Sequence, residues 1–476
     1  MFIAQPEWSL YVEIPPLGTP LLGIIGLIIV PFVAYGIGRG QPTATLIAYV
    51  AIQGTMRRFL ITDSGLPQFL VFIDSILTFV FVFRKIFQYQ LTKTEKKILI
   101  VLSSVLLISI ISVIINDVPI INAALGIWRS VMEGPFWLLT LSLSRIPNKV
   151  KFRIFLELIN VLLILHLAGC FVSFISTGNY LPNDQAMGVF GWGGSNYLSI
   201  AGAMILLFVL TIPTLSSKNK KNYMFFLNSK NKKILMAGWC FLMIWGASRF
   251  VLAIFSILLG IYLILKYISS FNLVRLFGVV CLILIIIVSL PLLKDFTKEN
   301  DLNAINIFRG PEELFDDLMS ENQNDVNRFV VALYNFEIMG SSPSRWIFGI
   351  GPGMYRSSTG NALKAKQQLE VSNYYDGRFV APMYLTDTLV EYGIIGLFLI
   401  LFIPLIPLLG QKEIIQMVSN PMKSGYILML IFVYSSLFIH STFEHRGTTI
   451  ILFLNAWLIL VTNNDLHEND KTLILT

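Results

Sequence analysis

Three arginines stand where an arginine is costly. Arg129 lies inside the apolar run 120–143, with Glu133 one turn further on. A guanidinium at the depth of a bilayer centre costs about 2.5–3.5 kcal/mol on insertion scales unless it is paired or faces water. An ion pair with Glu133 at i, i+4 spacing would meet that need, and so would a polar cleft. Arg249 ends the corner Gly246-Ala247-Ser248-Arg249 in the middle of a long apolar stretch, and Arg328 opens an amphipathic segment. Each can be a side chain that snorkels to an interface. Each can equally be a cation aimed at a diphosphate, because the planar fork donates two parallel charge-assisted hydrogen bonds and keeps its proton.

Other patterns carry weaker signals. Gly349-Ile350-Gly351-Pro352-Gly353-Met354-Tyr355 allows the backbone either a tight turn or a close approach to a ligand. It lacks the context of a nucleotide fingerprint. Asp387 and Glu391 stand one turn apart in the run 381–410. Either could take a proton if burial raises its pKa, and a structural role near the helix end is the alternative. His440, Glu444, His445 and Arg446 crowd between the last two apolar runs. Their spacing fits no familiar ligand pattern, so an interfacial polar cap is expected rather than a metal site. His166, alone on an apolar face, is expected to be a packing residue.

These groups need elements to hold them, and composition says which kind. Of 476 residues, 55% are hydrophobic and 13% charged, against roughly 45–50% and about 25% in soluble domains. The mean hydropathy is +0.72. With only 35 basic and 28 acidic residues and as many as 36 Phe, neither a charged shell for two or three soluble domains nor a disordered chain is available. The expected fold is all-α, a polytopic membrane protein of 12–13 transmembrane helices. Cys170, Cys240 and Cys281 all fall in apolar runs, which suggests packing rather than disulfides or metal ligation. The first sixteen residues contain Glu7 and Glu13 and no basic segment, so the first apolar run reads as a retained anchor.

Apolar runs near the spanning length of about 20 residues fall at 17–38, 67–83, 98–115, 120–143, 154–176, 194–215, 273–293, 381–410, 425–440 and 447–463. Residues 42–56 are short for a span, and 234–266 are just long enough for a tight pair. Basic connections at 84–97, 145–153, 218–233, 266–275 and 412–423 define the inside by the positive-inside rule. Both flanks of 234–266 are then inside, the stretch crosses an even number of times, and the corner at Arg249 faces outward. The N-terminus is outside if 42–56 spans and inside if it does not; the former is favoured.

The chain accordingly divides into N-terminal helices (1–293), one large outer loop with short helices (294–380), and returning helices with a short tail (381–476). The loop holds 12 acidic and 9 basic side chains and reads as a small extramembrane unit. Residues 314–319 and 326–339 show helical spacing, and the glycine cluster must end any helix before it. The loop is thus net −3, and the membrane part, with 26 basic against 16 acidic residues, supplies the positive charge behind the overall +7, where topology and anionic lipid explain it. Nucleic acid is not implied. No internal repeat of the kind common in transporters is visible.

Several segments taken together resemble the superfamily of O-antigen ligases and O-antigen or exopolysaccharide polymerases. Gly188-Val189-Phe190 followed by Ser195-Asn196-Tyr197 is similar to the family's Gly-x-Phe and Pro-Asn segment, with Ser195 where proline is usual. Gly246-Ala247-Ser248-Arg249 is similar to its Ser-Arg corner. Arg328, residues 332–336 and the 346–355 stretch resemble the Arg and Gly-x-Gly-x-Gly-x-Phe/Tyr pattern of the large loop. Tyr384-Leu385 and Glu391-Tyr392-Gly393-Ile394-Ile395-Gly396 look like the returning helix. The family commonly has a histidine at the start of that helix, and here the chain reads Val380-Ala381-Pro382-Met383. That departure favours a polymerase over a ligase, or else a divergent or impaired enzyme, and a polymerase is the reading taken.

The resemblance implies a GT-C-like glycosyltransferase at the outer face of a bacterial plasma membrane, needing no metal or other cofactor. Its partners would be an undecaprenyl-diphosphate-linked oligosaccharide donor and acceptor, membrane lipids, and a chain-length regulator. Arg249 and Arg328 would hold the diphosphate and Arg129 would support them. Asn196 and Tyr384 would touch sugar, as would the turn through Gly351, Gly353 and Tyr355, and Glu391 or Asp387 would supply the base. Trp192, Trp346, Tyr374 and Tyr375 could stack on sugars, or simply belong to an interfacial aromatic belt. A ligase acting on lipid A or protein is the alternative, and a lipid-linked oligosaccharide flippase a more distant one.

Overall fold

The computed structural model describes residues 20–57, 59–60, 66–67, 70, 72–132, 134–177, 188–190, 195–213, 227–246, 248–269, 325–326, 328–355, 379–380, 384–409, 421–437 and 446–460. Among the described residues, apolar sequence becomes helix nearly throughout. In order come α1 (Pro20–Gly38), α2 (Pro42–Arg57), α3 (Ile73–Gln88), α4 (Lys93–Ile115), α5 (Ile120–Met132), α6 (Pro135–Leu143) and α7 (Asn148–Thr177). A 3₁₀ turn, Gly188–Phe190, precedes α8 (Ser195–Thr211), α9 (Ser229–Trp245) and α10 (Arg249–Ser269). The large loop contributes β1 (Asp325–Val326), α11 (Arg328–Gly340), α12 (Pro343–Phe348) and β2 (Phe379–Val380), with β1 and β2 paired in parallel. The chain returns through α13 (Tyr384–Phe402), a 3₁₀ turn (Ile403–Leu405), α14 (Ile406–Leu409), α15 (Pro421–Ser436) and α16 (Arg446–Ile459). The fold is all-α apart from that one short strand pair among the described residues. Three helices, Lys93–Ile115, Asn148–Val172 and Tyr384–Leu409, are long and apolar enough to cross a membrane. Outward-facing Phe32, Phe87 and Ile114 are each at least 70% exposed, a surface that suits hydrocarbon and not water.

Local rules explain the helix ends. Thr92 and Glu95 form a reciprocal capping box that starts α4: the Thr92 hydroxyl accepts from the Glu95 N–H at 3.2 Å, and the Glu95 carboxylate from the Thr92 N–H at 2.6 Å. The run 120–143 reads in sequence as one span, but the structure divides it at Gly134 into α5 and α6. Pro135 at the first position of α6 has no N–H to continue the ladder, and its ring would meet the carbonyl four residues back. The stretch 234–266 lies across two helices broken at 246–248, as its length requires.

At one end of the bundle, cations meet helix C-termini. Arg153 reaches the Ile37 carbonyl at 3.4 Å, Arg145 the Gln90 carbonyl at 2.5 Å, and Lys232 the Leu210 carbonyl at 2.9 Å. Lys97 reaches Leu409 at 3.4 Å and Lys151 reaches Leu460 at 2.9 Å. Carbonyls left open at a helix end carry partial negative charge, so each contact is favourable. Basic residues from three connections read as inside thus gather at one end. Arg39, just past α1, pairs with Glu157 there at 3.2 Å. At its far end α2 lies beside Asp74 and Arg446, which a Cβ on Gly54 would approach at 3.2 and 3.3 Å. Residues 42–56 therefore traverse the bundle antiparallel to α1, and α1 begins at the end away from the cations. The expected span 273–293 and the expected helix at 314–319 lie outside the described residues.

Candidate functional site

The site at the end opposite the cations is built on contact between two glycines. Helix α12 stops at Gly349, whose φ is 72°, and α13 is interrupted at Gly393, whose φ is 67°. A Cβ on Gly349 would stand 2.4 Å from the Glu391 carbonyl oxygen, and one on Gly393 would stand 2.2 Å from that of Ile347. Only glycine permits both the backbone conformation and the approach. Through the gap the two segments pair: the Ile350 N–H donates to the Val390 carbonyl at 2.8 Å, and the Gly351 N–H to that of Glu391 at 3.1 Å. The Glu391 carboxylate, 2% exposed, then accepts from the Gly353 N–H at 3.1 Å and the Tyr355 N–H at 3.0 Å. Asn116 of the α4 end donates to the Gly349 carbonyl at 3.1 Å, and Asn122 of α5 to that of Gly353 at 3.0 Å. The Tyr392 hydroxyl donates to the Gly126 carbonyl at 3.0 Å.

A second layer lies beneath this turn. Buried Asn335 donates to the Thr386 hydroxyl at 2.8 Å and to Asp387 at 3.1 Å, and accepts from the Tyr355 hydroxyl. Asn335 thus joins α11, the turn and the first half of α13. Val331, Met339, Ile350, Met354, Leu389 and Val390 close around this network as a small core of their own.

The expected site residues fall into two groups. Arg328 lies two turns before Asn335 on the same stripe of α11, two residues after Val326, which pairs with Val380 at the approach to buried Tyr384. Arg129 is three residues past Gly126, which is packed against Pro352 and Gly353. The fold thus gathers Gly351, Gly353, Tyr355, Tyr384, Asp387 and Glu391, with the backbone at Arg129 and Arg328 one and two turns from residues of this cluster. Asn196 and Arg249 form the other group. One turn after Asn196, the Ser199 hydroxyl donates to the Met243 carbonyl at 2.9 Å and accepts from the Ser248 N–H at 3.4 Å, tying the corner before Arg249 to α8. The side chains of Arg129, Arg249 and Arg328 lie outside the described residues, as do Glu133, Trp192, Tyr374, Tyr375, His440, Glu444 and His445.

This geometry reassigns two expected roles. The amides of Gly351 and Gly353 are committed to Glu391 and not to a ligand. Glu391 acts as a clasp: its two carboxylate oxygens hold the turn. The Asp387 carboxylate accepts from Asn335, and both acids are buried.

Sequence reasoning missed Asn116 and Asn122, which occur in no motif, the part played by Asn335 within the 332–336 segment, and a buried ion pair. Arg446 donates through Nε and Nη2 to one oxygen of Asp74 at 3.2 and 2.8 Å, joining α16 to α3 with both side chains nearly fully buried. A lone acid in an apolar run was its signal. His166 is a packing residue against Phe190 and Trp239, and its Nδ1 accepts from the Val189 N–H at 3.2 Å, which anchors the Gly188–Phe190 turn. The fold and this polar cluster define a helical membrane protein with a discontinuous helix at its centre of polarity. No protein-family model matches the chain, and no curated protein matches it.

Proposed function

We propose that this protein is a metal-independent glycan polymerase of the bacterial plasma membrane, with 12–13 spans and the loop 294–380 on the exterior. It transfers an oligosaccharide from undecaprenyl diphosphate to a sugar hydroxyl of a second lipid-linked repeat. The observation that supports this reading is that three distant segments, the stretch of α5 that carries Arg129, the start of α11 at Arg328, and α13 with Tyr384 and Asp387, meet near the clasped glycine turn. Its support in topology is that this end lies opposite the gathered Lys and Arg residues, and loops rich in those residues stay in the cytoplasm.

In the reaction, the acceptor oxygen bonds to the anomeric carbon, the bond from that carbon to the phosphate oxygen breaks, and the hydroxyl proton passes to Asp387. Negative charge grows on the departing lipid diphosphate. Fixed guanidinium groups in a poorly hydrated cleft stabilise such charge better than water does, because they need no reorganisation. In this reading Arg328 holds the diphosphate with Arg129 in support and Tyr384 on the sugar, while Arg249 and Asn196, from the second group, are assigned to the same diphosphate and sugar on the resemblance alone.

Deleting the gene tests the class: single repeats should accumulate on the lipid carrier. Accumulation of finished but unattached polymer would identify a ligase, and inward-facing precursor a flippase. Arg249→Ala and Arg328→Ala should each abolish chain growth at normal protein levels, with Arg249→Lys recovering little of it if two-pronged recognition matters. Normal polymer from both alanine variants would refute the assignment.

A further inference from the structure

Helix α11 is apolar on two sides. Val331, Asn335 and Met339 face the inner core, yet Leu333 and Phe336 on the other side are 55% and 43% exposed. The exposed face does not end with the helix. The Phe336 ring stacks on Trp346 of α12 with centroids 6.1 Å apart, and the next residue, Ile347, is 41% exposed. The Ile347 carbonyl abuts Gly393 of α13, where the outward residues Ile394 and Phe398 begin the exposed flank of a helix long and apolar enough to cross a membrane. One apolar stripe therefore runs from Phe398 through Ile394, Ile347 and Phe336 to Leu333.

Depth decides what covers the stripe. The Leu409 carbonyl is held by Lys97 at the cationic end, which marks one edge of the hydrocarbon. From Leu409 back to Gly393 the helical path is about 24 Å at 1.5 Å per residue, short of the roughly 30 Å thickness of the hydrocarbon layer. Ile347, packed at Gly393, is thus at acyl-chain depth.

The geometry points to α11 and α12 as an element seated in the bilayer, in the half away from the cationic end, with lipid acyl chains against Ile347 and the Phe336 ring stacked beside it, and with Leu333, nearer Arg328, at their outer edge. The large loop is then not wholly extramembrane. Its glycine turn, packed on Glu391 beside Gly393, then sits just inside the hydrocarbon edge, and the start of α11 at Arg328 lies beyond it, toward the headgroups, where a lipid-linked anion would present its phosphates. This inference rests on α13 crossing the membrane and not on the glycan chemistry.

The test places a nitroxide label at Leu333→Cys, Phe336→Cys or Ile347→Cys, one at a time, in the full-length protein with Cys170, Cys240 and Cys281 replaced by alanine. The protein is reconstituted in phosphatidylcholine vesicles containing some phosphatidylglycerol. Phe398→Cys is the lipid reference and Lys93→Cys the aqueous one. The labels at Phe336→Cys and Ile347→Cys should match Phe398→Cys, colliding with oxygen and losing collision with a water-soluble nickel chelate, and the label at Leu333→Cys should fall between the two references. Nickel collision equal to that at Lys93→Cys would overturn the inference. So would shielding from both reagents with spin–spin broadening, which would identify a second copy of the chain. The unsubstituted protein offers a second readout: a photolabel confined to the bilayer should modify residues 331–348, and their escape from labelling would also overturn the inference.

Discussion

Replacing Glu391 separates a clasp from a catalytic base. Its carboxylate oxygens accept one backbone N–H each, from Gly353 and Tyr355, in a site closed to solvent. A hydrogen bond to a charged group contributes about 1.5–3 kcal/mol, and a buried donor left without a partner costs a similar amount. Glu391→Ala removes both acceptors, for a loss of about 3–6 kcal/mol. Glu391→Gln keeps one acceptor but turns an amide N–H toward a backbone N–H, for a loss of about 2–3 kcal/mol. Melting of the purified protein in detergent should fall in the order wild type, Gln, Ala. Hydrogen exchange gives the local reading: losing about 2 kcal/mol should speed exchange of the Gly353 and Tyr355 amides about 30-fold. Chain growth should decline in parallel with turn stability. If Glu391→Gln leaves both amides protected and the melting unchanged while chain growth stops, the clasp argument is wrong and Glu391 acts in the chemistry.

Three further outcomes are expected. Arg446→Ala strands a buried carboxylate and should cost about 3–5 kcal/mol, whereas Asp74→Ala combined with Arg446→Ala should be no less stable than Arg446→Ala alone; thermal melting of the four proteins in one detergent measures this coupling. Gly393→Ala would force a side chain into a conformation that costs about 1–3 kcal/mol, with its Cβ 2.2 Å from the Ile347 carbonyl. Folded protein with an intact turn, judged by the Gly353 and Tyr355 exchange rates, would refute that close approach. Lys151→Met leaves the Leu460 carbonyl at the end of α16 without its donor and should lower stability by about 1–3 kcal/mol, seen as earlier proteolysis of the C-terminal helix on heating.

Much of the architecture was legible because a bilayer imposes one rule on every residue: a span must be apolar and must satisfy its own backbone. Residue order alone therefore determined the helical class, the break at 246–248, the turn at Gly349 and the clustering of basic connections. It also marked Arg129, Arg328 and Asp387 as polar groups that needed an explanation. It did not show the break at Gly134 within 120–143, because hydropathy averages over Pro135, whose effect is on backbone geometry and not on solvation.

Only the tertiary structure decided what each polar group faces. A pair such as Asp74 and Arg446, or a bridge such as Asn335 to Asp387, depends on which helices become neighbours, and that is settled by shape-complementary packing summed over the whole bundle. Glu391 shows the difference most plainly. In sequence it is a carboxylate on an apolar helix, equally fit for a base or a brace, and it becomes a brace because two glycines let a distant loop bring its amides within reach.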